Sequence, residues 1–270
     1  MRERFDSEYI HSELERVGDQ LEAPLTVYLI GGGSMAFRDL KETTKDIDLV
    51  VTDGDALQQL QGTLLACGYE IVRDPGEEYD ELGAQRILKN DDGCRIDVFN
   101  RQVVDKFILS EGMHERSEAY LDAGKLTVAL VSAEDIFLFK SVAGRTNDVD
   151  DMFALVQTGL DFDIIEAELQ RQIDLLGQEL FISHVNEALV ALDERHNVTT
   201  PLSEVVGETT ERVYRELEVV QAFDDAISRS ELHKRVGLSS TEVDEAIRSL
   251  ENKGVVVVTG DQIIKESETL

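Results

Sequence analysis

Three consecutive glycines separate an apolar strand from a second strand that opens on two aspartates. The first segment reads Leu29-Ile30-Gly31-Gly32-Gly33-Ser34, the second Lys45-Asp46-Ile47-Asp48-Leu49-Val50-Val51. No other stretch constrains the fold as tightly. Strand positions two apart point to the same side, so Asp46 and Asp48 stand side by side and face the glycine turn. Clustered hard oxygens hold Mg²⁺, and backbone N–H groups at a helix start hold phosphate. The combination suits a metal-bound nucleoside triphosphate.

A chain of 270 residues can bury a real core and divide into two or three units. It carries 56 Asp+Glu against 26 Lys+Arg, a net charge of -30. The acids are spread along the chain and form no tail. The expectation is therefore a self-solvated surface of the kind high salt screens in halophilic proteins, not a dock for a basic partner. With no apolar run of membrane-spanning length and no basic-plus-apolar leader, a cytoplasmic protein without a membrane partner is expected. Cys67 and Cys94 lack metal-ligand spacing and read as reduced and partly buried. The histidines (His11, His114, His184, His196 and His233) are scattered and receive no chemistry.

Periodicity and turn residues predict the elements. An amphipathic helix presents Phe5, Tyr9, Ile10, Leu14, Val17 and Leu21 on one face. Strand Thr26–Ile30, a short helix Ser34–Asp39, strand Ile47–Thr52 and helix Asp55–Ala66 follow. Ala84–Lys89 and Cys94–Phe99 form a hairpin about Asn90-Asp91-Asp92-Gly93. A second pair, Glu115–Leu121 with Leu126–Val131, turns at Asp122-Ala123-Gly124. Ser132 caps a helix through Ile136–Val142, and another spans Asn147–Gln157. Residues 1–159 thus make one unit and 160–196 a helical segment broken at Gly177. Residues 197–227 are predicted to be a linker, around Pro201 and Gly207, followed by a helix. Residues 228–270 run helix, turn, helix, hairpin, the order of a winged helix-turn-helix.

Two other readings compete for the front segment. Gly31-x-Gly33-x-x-Ala36 satisfies a loose dinucleotide-binding fingerprint, with Asp53 near the ribose position. Charges at the start of the second strand and later antiparallel hairpins count against it. Alternatively, Asp46 and Asp48 are ordinary solvated strand-end residues. Asp97 opposes that view. It lies mid-strand in Arg95-Ile96-Asp97-Val98-Phe99, with Ile96 and Val98 facing the core on the other side. A lone acid there, on a hairpin able to lie beside Ile47–Val51, is costly unless something binds it.

Glycine turn, Asp46-x-Asp48 and a later strand Asp97 together resemble the polymerase-β nucleotidyltransferase superfamily. The phrase Thr44-Lys-Asp-Ile-Asp-Leu-Val-Val is similar to its stand-alone bacterial and archaeal members, and with the acidic composition this implies a haloarchaeal source. Ser132 to Lys140, then Gly144-Arg145-Thr-Asn-Asp148-Val-Asp150-Asp151, resembles the branch holding abortive-infection and toxin-type nucleotidyltransferases. There the matching lysine and aspartate, here Lys140 and Asp148, belong to the active site. The resemblance covers residues 25–158 and implies an α+β fold, a mixed sheet flanked by helices.

The activity it implies is metal-dependent transfer of a nucleoside monophosphate from NTP to an acceptor hydroxyl, with release of pyrophosphate. Asp46 and Asp48 would bridge Mg²⁺ or Mn²⁺ ions, with Asp97 completing the second ion's shell and drawing the acceptor proton. Gly31, Gly32, Gly33 and Ser34 would bind phosphate, and Lys140 would neutralise the triphosphate as a point charge. The acceptor is open: a tRNA, a protein side chain, an aminoglycoside-like small molecule or a sugar. The tail is expected either to bind DNA or RNA or to pack on protein, including a second copy as a homodimer. Glu242, Asp244 and Glu245 on its presumed reading helix oppose nucleic acid. The non-enzymatic alternative is a regulatory or antitoxin-like protein that uses this fold as a scaffold.

Overall fold

The computed structural model describes residues 3–72, 84–103 and 106–267. Helix α1 (Ser7–Gln20) starts at Asp6, whose side chain accepts the Tyr9 N–H at 2.9 Å, and leads into β1 (Leu25–Ile30). Helix α2 (Gly31–Ala36), β2 (Asp46–Val51), α3 (Gly54–Ala66) and β3 (Glu70–Ile71) follow. The predicted hairpin is β4 (Arg86–Lys89) and β5 (Arg95–Asn100); its turn is closed by Asn90, whose Oδ1 accepts the Cys94 N–H at 2.9 Å. Short strands β6 (Gln102–Val103) and β7 (Phe107–Ile108) pair with each other.

Helix α4 (Glu111–Arg116) occupies ground where a strand was expected to begin. Ser110 caps it, and the strand β8 (Glu118–Ala123) starts three residues later than predicted and pairs with β9 (Leu126–Leu130). Helices α5 (Ala133–Ala143), α6 (Asp148–Val156), α7 (Phe162–Leu176) and α8 (Ile182–His196) come next. Gly177 ends α7, as expected.

One sheet of order β3-β4-β5-β2-β1-β9-β8 organises the main body. It is mixed: β2 runs parallel to β5 and β1 parallel to β9, while β1 and β2 are antiparallel. That antiparallel pair removes the dinucleotide-binding alternative, whose first two strands run parallel. Val27, Leu29, Ile47, Leu49, Ile96 and Val98 face α1 and α3. Ile30, Val50 and Phe99 face the other way, toward α5 through α8. The fold is α+β, with helices on both faces.

The predicted linker at 197–210 is a helix over most of its length: α9 (Leu202–Gln221) runs unbroken through Gly207. Proline at a helix start costs nothing, because its missing N–H has no intrahelical partner there. Leu202, Val206, Thr210 and Val213 keep helical spacing and are buried. Composition suggested a linker; periodicity says helix. The front of α9 joins the core of the main body and its end joins that of the C-terminal unit. That unit holds β10 (Ala226–Ser228), α10 (Arg229–Arg235), α11 (Ser240–Asn252), β11 (Val256–Thr259) and β12 (Gln262–Lys265). The expected capping box of Ser239 and Glu242 opens α11. Among the described residues, no helix is long and apolar enough to cross a membrane.

Candidate active site

The site forms where β1 ends and β2 begins. Ile30 pairs with Asp48, so the glycine turn emerges beside the aspartates. Gly31 has φ +62, a left-handed conformation, and a Cβ there would sit 2.2 Å from Asp48 Oδ2. Both facts demand glycine. A Cβ on Gly32 would fall 2.5 Å from Thr44 Oγ1. Thr44 is itself fixed by a two-way backbone bridge to Phe5 (2.8 and 2.9 Å) and donates its hydroxyl to the Asp46 carbonyl at 3.1 Å. The segment before α1 thus clamps the residues leading into Asp46.

Asp97 lies one strand away, in register with Asp48 across the parallel β2–β5 pair. The three aspartates therefore share one face of adjacent strands, as the sequence pattern predicts. Asp46 and Asp48 are half-buried; Asp97 is buried. Burial first, and then the negative charge of Asp46, push the Asp48 carboxyl up to about 6, against the pull of Arg145 and Lys140. Among the described residues, no three His, Cys, Asp or Glu side chains stand close enough to hold an ion jointly as they are placed.

Asp46 and Asp48 open on a cavity of about 610 Å³, which Asp97 does not line. Its lining combines five aspartates (Asp46, Asp48, Asp148, Asp150 and Asp151) with five cations (Arg4, Lys41, Lys45, Lys140 and Arg145). In a chain of net charge -30, this concentration of cations is local and specific. Three of only nine lysines meet here.

Lys140 is placed at the site, but not as a free point charge. It is buried in the last turn of α5 and donates to Asp148 Oδ1 and Asp151 Oδ2, each at 2.7 Å. Burial lowers its pKa, but Asp148 and Asp151 outweigh that and hold it above the usual lysine value. Burial likewise raises Asp148, yet Lys140 and Arg145 hold its carboxyl below the ordinary range. Arg145 Nε donates to Asp148 Oδ2 at 2.9 Å, and its side chain stays half-exposed. Ser34 departs from its expected role. It is fully buried outside the cavity lining, and its hydroxyl accepts from Arg38 Nη1 at 2.6 Å, while Arg38 Nη2 donates to the Val131 carbonyl at 2.6 Å. Gly32 is the member of the glycine run that lines the cavity.

Sequence reasoning missed Lys41 and Arg4, which no motif marks. Lys41 donates to both oxygens of Asp151, at 2.8 and 2.7 Å. It also missed the support from α8. Arg195 donates to Asp150 Oδ2 at 2.7 Å and to the Thr146 carbonyl at 3.1 Å. His196, stacked on Phe153, meets Asp150 at 2.9 Å.

Residues 8–194 match the model of a family described as "Nucleotidyltransferase of unknown function (DUF6036)". The chain belongs to that family. This nucleotidyltransferase is also similar to a solved structure titled "Crystal structure of putative nucleotidyltransferase from H. pylori". Identity is 12%, over 75% of this chain and 91% of that one, and the TM-score of 0.36 is too low to carry an argument. None of the curated proteins matches. The family match ends within α8, so α9 and the C-terminal unit lie beyond it.

Proposed function

We propose that this nucleotidyltransferase moves a nucleoside monophosphate from a Mg²⁺- or Mn²⁺-bound NTP to an acceptor hydroxyl. The acceptor oxygen bonds to the α-phosphorus, the bond to the α,β-bridging oxygen breaks, and pyrophosphate leaves. One observation carries the reading: Asp46 and Asp48, two apart on one strand face, both line the cavity beside a glycine turn that leaves no room for a Cβ. The donor set fits a divalent cation, since all are hard oxygens and a cation would relieve the repulsion. Asp46 and Asp48 would hold it, with Asp97 as the third carboxylate of the face. Bound there, a divalent ion supplies charge stabilisation to the attacking and leaving oxygens.

The chain's own residues do the rest. The glycine turn lets phosphate oxygens approach backbone N–H groups that a Cβ would block. Asp97 is the candidate to take the acceptor proton. Lys140 fixes Asp148 and Asp151, which line the cavity together with Lys41 and Arg145. Incubation with each labelled triphosphate, Mg²⁺ or Mn²⁺, and cell extract should label one class of macromolecule. Asp48→Asn should reduce labelling by at least on the order of a thousandfold, beyond the loss of a single stabilising donor. Normal turnover by that variant would overturn the assignment.

For the C-terminal unit, a winged helix that packs on protein is favoured over one that binds nucleic acid. Four of its six cations pair with acids of the chain: Arg229 with Asp244, Lys234 and Arg235 with Glu231, and Lys253 with Glu179 and Glu216. Helix α11, the presumed reading helix, packs against α9. The full chain should show no salt-dependent binding to duplex DNA or tRNA; clear binding at low salt would reverse this reading.

A further inference from the structure

Lys41 and Lys140 share one carboxylate but differ in what they could leave behind. Asp151 Oδ2 accepts from both, each at 2.7 Å. Lys140 is enclosed, with a side chain 5% exposed, and bridges Asp148 and Asp151, which without it would keep only the more exposed Arg145 and Lys41. Lys41 is 27% exposed, and Asp151 would keep Lys140 if Lys41 moved away. A buried ammonium that leaves its carboxylates gives up its pairing with no water to replace it, whereas a part-exposed one keeps access to solvent. Lys41 can therefore exchange ligands and Lys140 cannot. The Lys41 stem also runs beside the glycine turn: its Cδ lies 3.9 Å from where a Gly32 Cβ would be. Its side chain thus reaches from the glycine turn to Asp151 on α6.

Resting on the reading of this cavity as a nucleotide site, we propose that Lys41 is the phosphate-binding cation. It leaves Asp151 for the terminal phosphates of the entering triphosphate, while Lys140 stays to neutralise Asp151. Lys41 then selects for the polyphosphate tail and contributes nothing to recognition of a monophosphate.

The test is calorimetric titration of the full chain with a non-hydrolysable ATP analogue and, separately, with AMP, both in Mg²⁺. Lys41→Met should weaken the ATP analogue by about tenfold, the loss of one charge-assisted contact, and leave AMP within twofold. Lys41→Arg should restore most of the difference. In transfer assays the Met variant should raise KM for the triphosphate and retain kcat. Equal binding of the ATP analogue by wild type and Lys41→Met would overturn the inference while leaving the nucleotide site standing. Equal loss of both ligands would reduce Lys41 to a structural strap and also overturn it. Failure of the wild type to bind either ligand would remove the nucleotide reading and this inference together.

Discussion

The glycine-turn site and the cluster at the foot of the C-terminal unit both bury carboxylates, and they treat them in opposite ways. In the cluster, Lys253 donates to Glu179 at 2.7 Å and Glu216 at 2.5 Å, and Arg212 donates to the same two at 2.8 and 3.0 Å. Burial raises the Glu179 carboxyl, but Arg212 and Lys253 outweigh it and hold it below the ordinary range. At the glycine turn, burial and a like charge act together, and Asp48 rises to about 6. Glu179 ends below the ordinary carboxylate range because its cations outweigh burial; Asp48 ends above it because burial and Asp46 outweigh Arg145 and Lys140. The first arrangement ties α9 and α11 to the segment before α8. The second is where we propose a cation binds.

Substitution of the two central lysines sharpens this contrast most. Lys140→Ala removes the buried ammonium between Asp148 and Asp151, leaves them only the more exposed Arg145 and Lys41, and should cost about 3 kcal/mol in denaturant unfolding, the low end for a broken buried pair. Lys253→Ala leaves Arg212 on both glutamates and should cost less, about 1–3 kcal/mol, with transfer activity intact. Equal costs, or lost activity in the Lys253 variant, would break the distinction.

Acid titration separates the two regions by sign. The folded-state pKa of Asp48 lies above its ordinary 3.8. Its contribution to stability is full below that ordinary value and is lost as pH rises through about 6. Glu179 is depressed, so its contribution is present above the ordinary glutamate range and is lost as pH falls through its lowered value. Asp48→Asn should therefore flatten the change in Tm between pH 4 and 6, and Glu179→Gln the change at lower pH. A change between pH 4 and 6 that survives in Asp48→Asn would place the titrating group elsewhere.

The smallest effect concerns α9, which joins the two regions. A Cβ on Gly207 would meet only Asn186 Oδ1, at 3.7 Å. Gly207→Ala should stabilise the protein by up to about 1 kcal/mol, by helix propensity alone. Destabilisation would argue that this stretch is not a helix in solution.

Much of the site was legible because local chemistry dictates it. The glycine run, Asp46, Asp48 and the strand bearing Asp97 are adjacent in sequence or set by strand alternation, and all three aspartates reach the same face. The Asn90–Gly93 turn and the Ser239 cap are likewise local signals. What could not be read depends on long-range packing. Lys41 meets Asp151, Arg38 reaches Ser34 and Val131, and Phe5 bridges Thr44 only once helices and loops far apart in sequence have docked. For Lys140 the position in α5 was legible, its two carboxylate partners from α6 were not. At Gly207 the fault lay in weighing glycine and proline above the apolar spacing around them.

We propose that Asp46 and Asp48 form a divalent-cation site that is completed from outside. Calorimetric titration of Mg²⁺, with a non-hydrolysable ATP analogue present, into wild type and Asp48→Asn at pH 7.5 and pH 5 tests it most directly. Beyond the ion bound by the analogue alone, the wild type should bind Mg²⁺, more weakly at pH 5 as Asp48 takes up a proton, and the variant should bind none. Equal binding by both proteins at both pH values would contradict it.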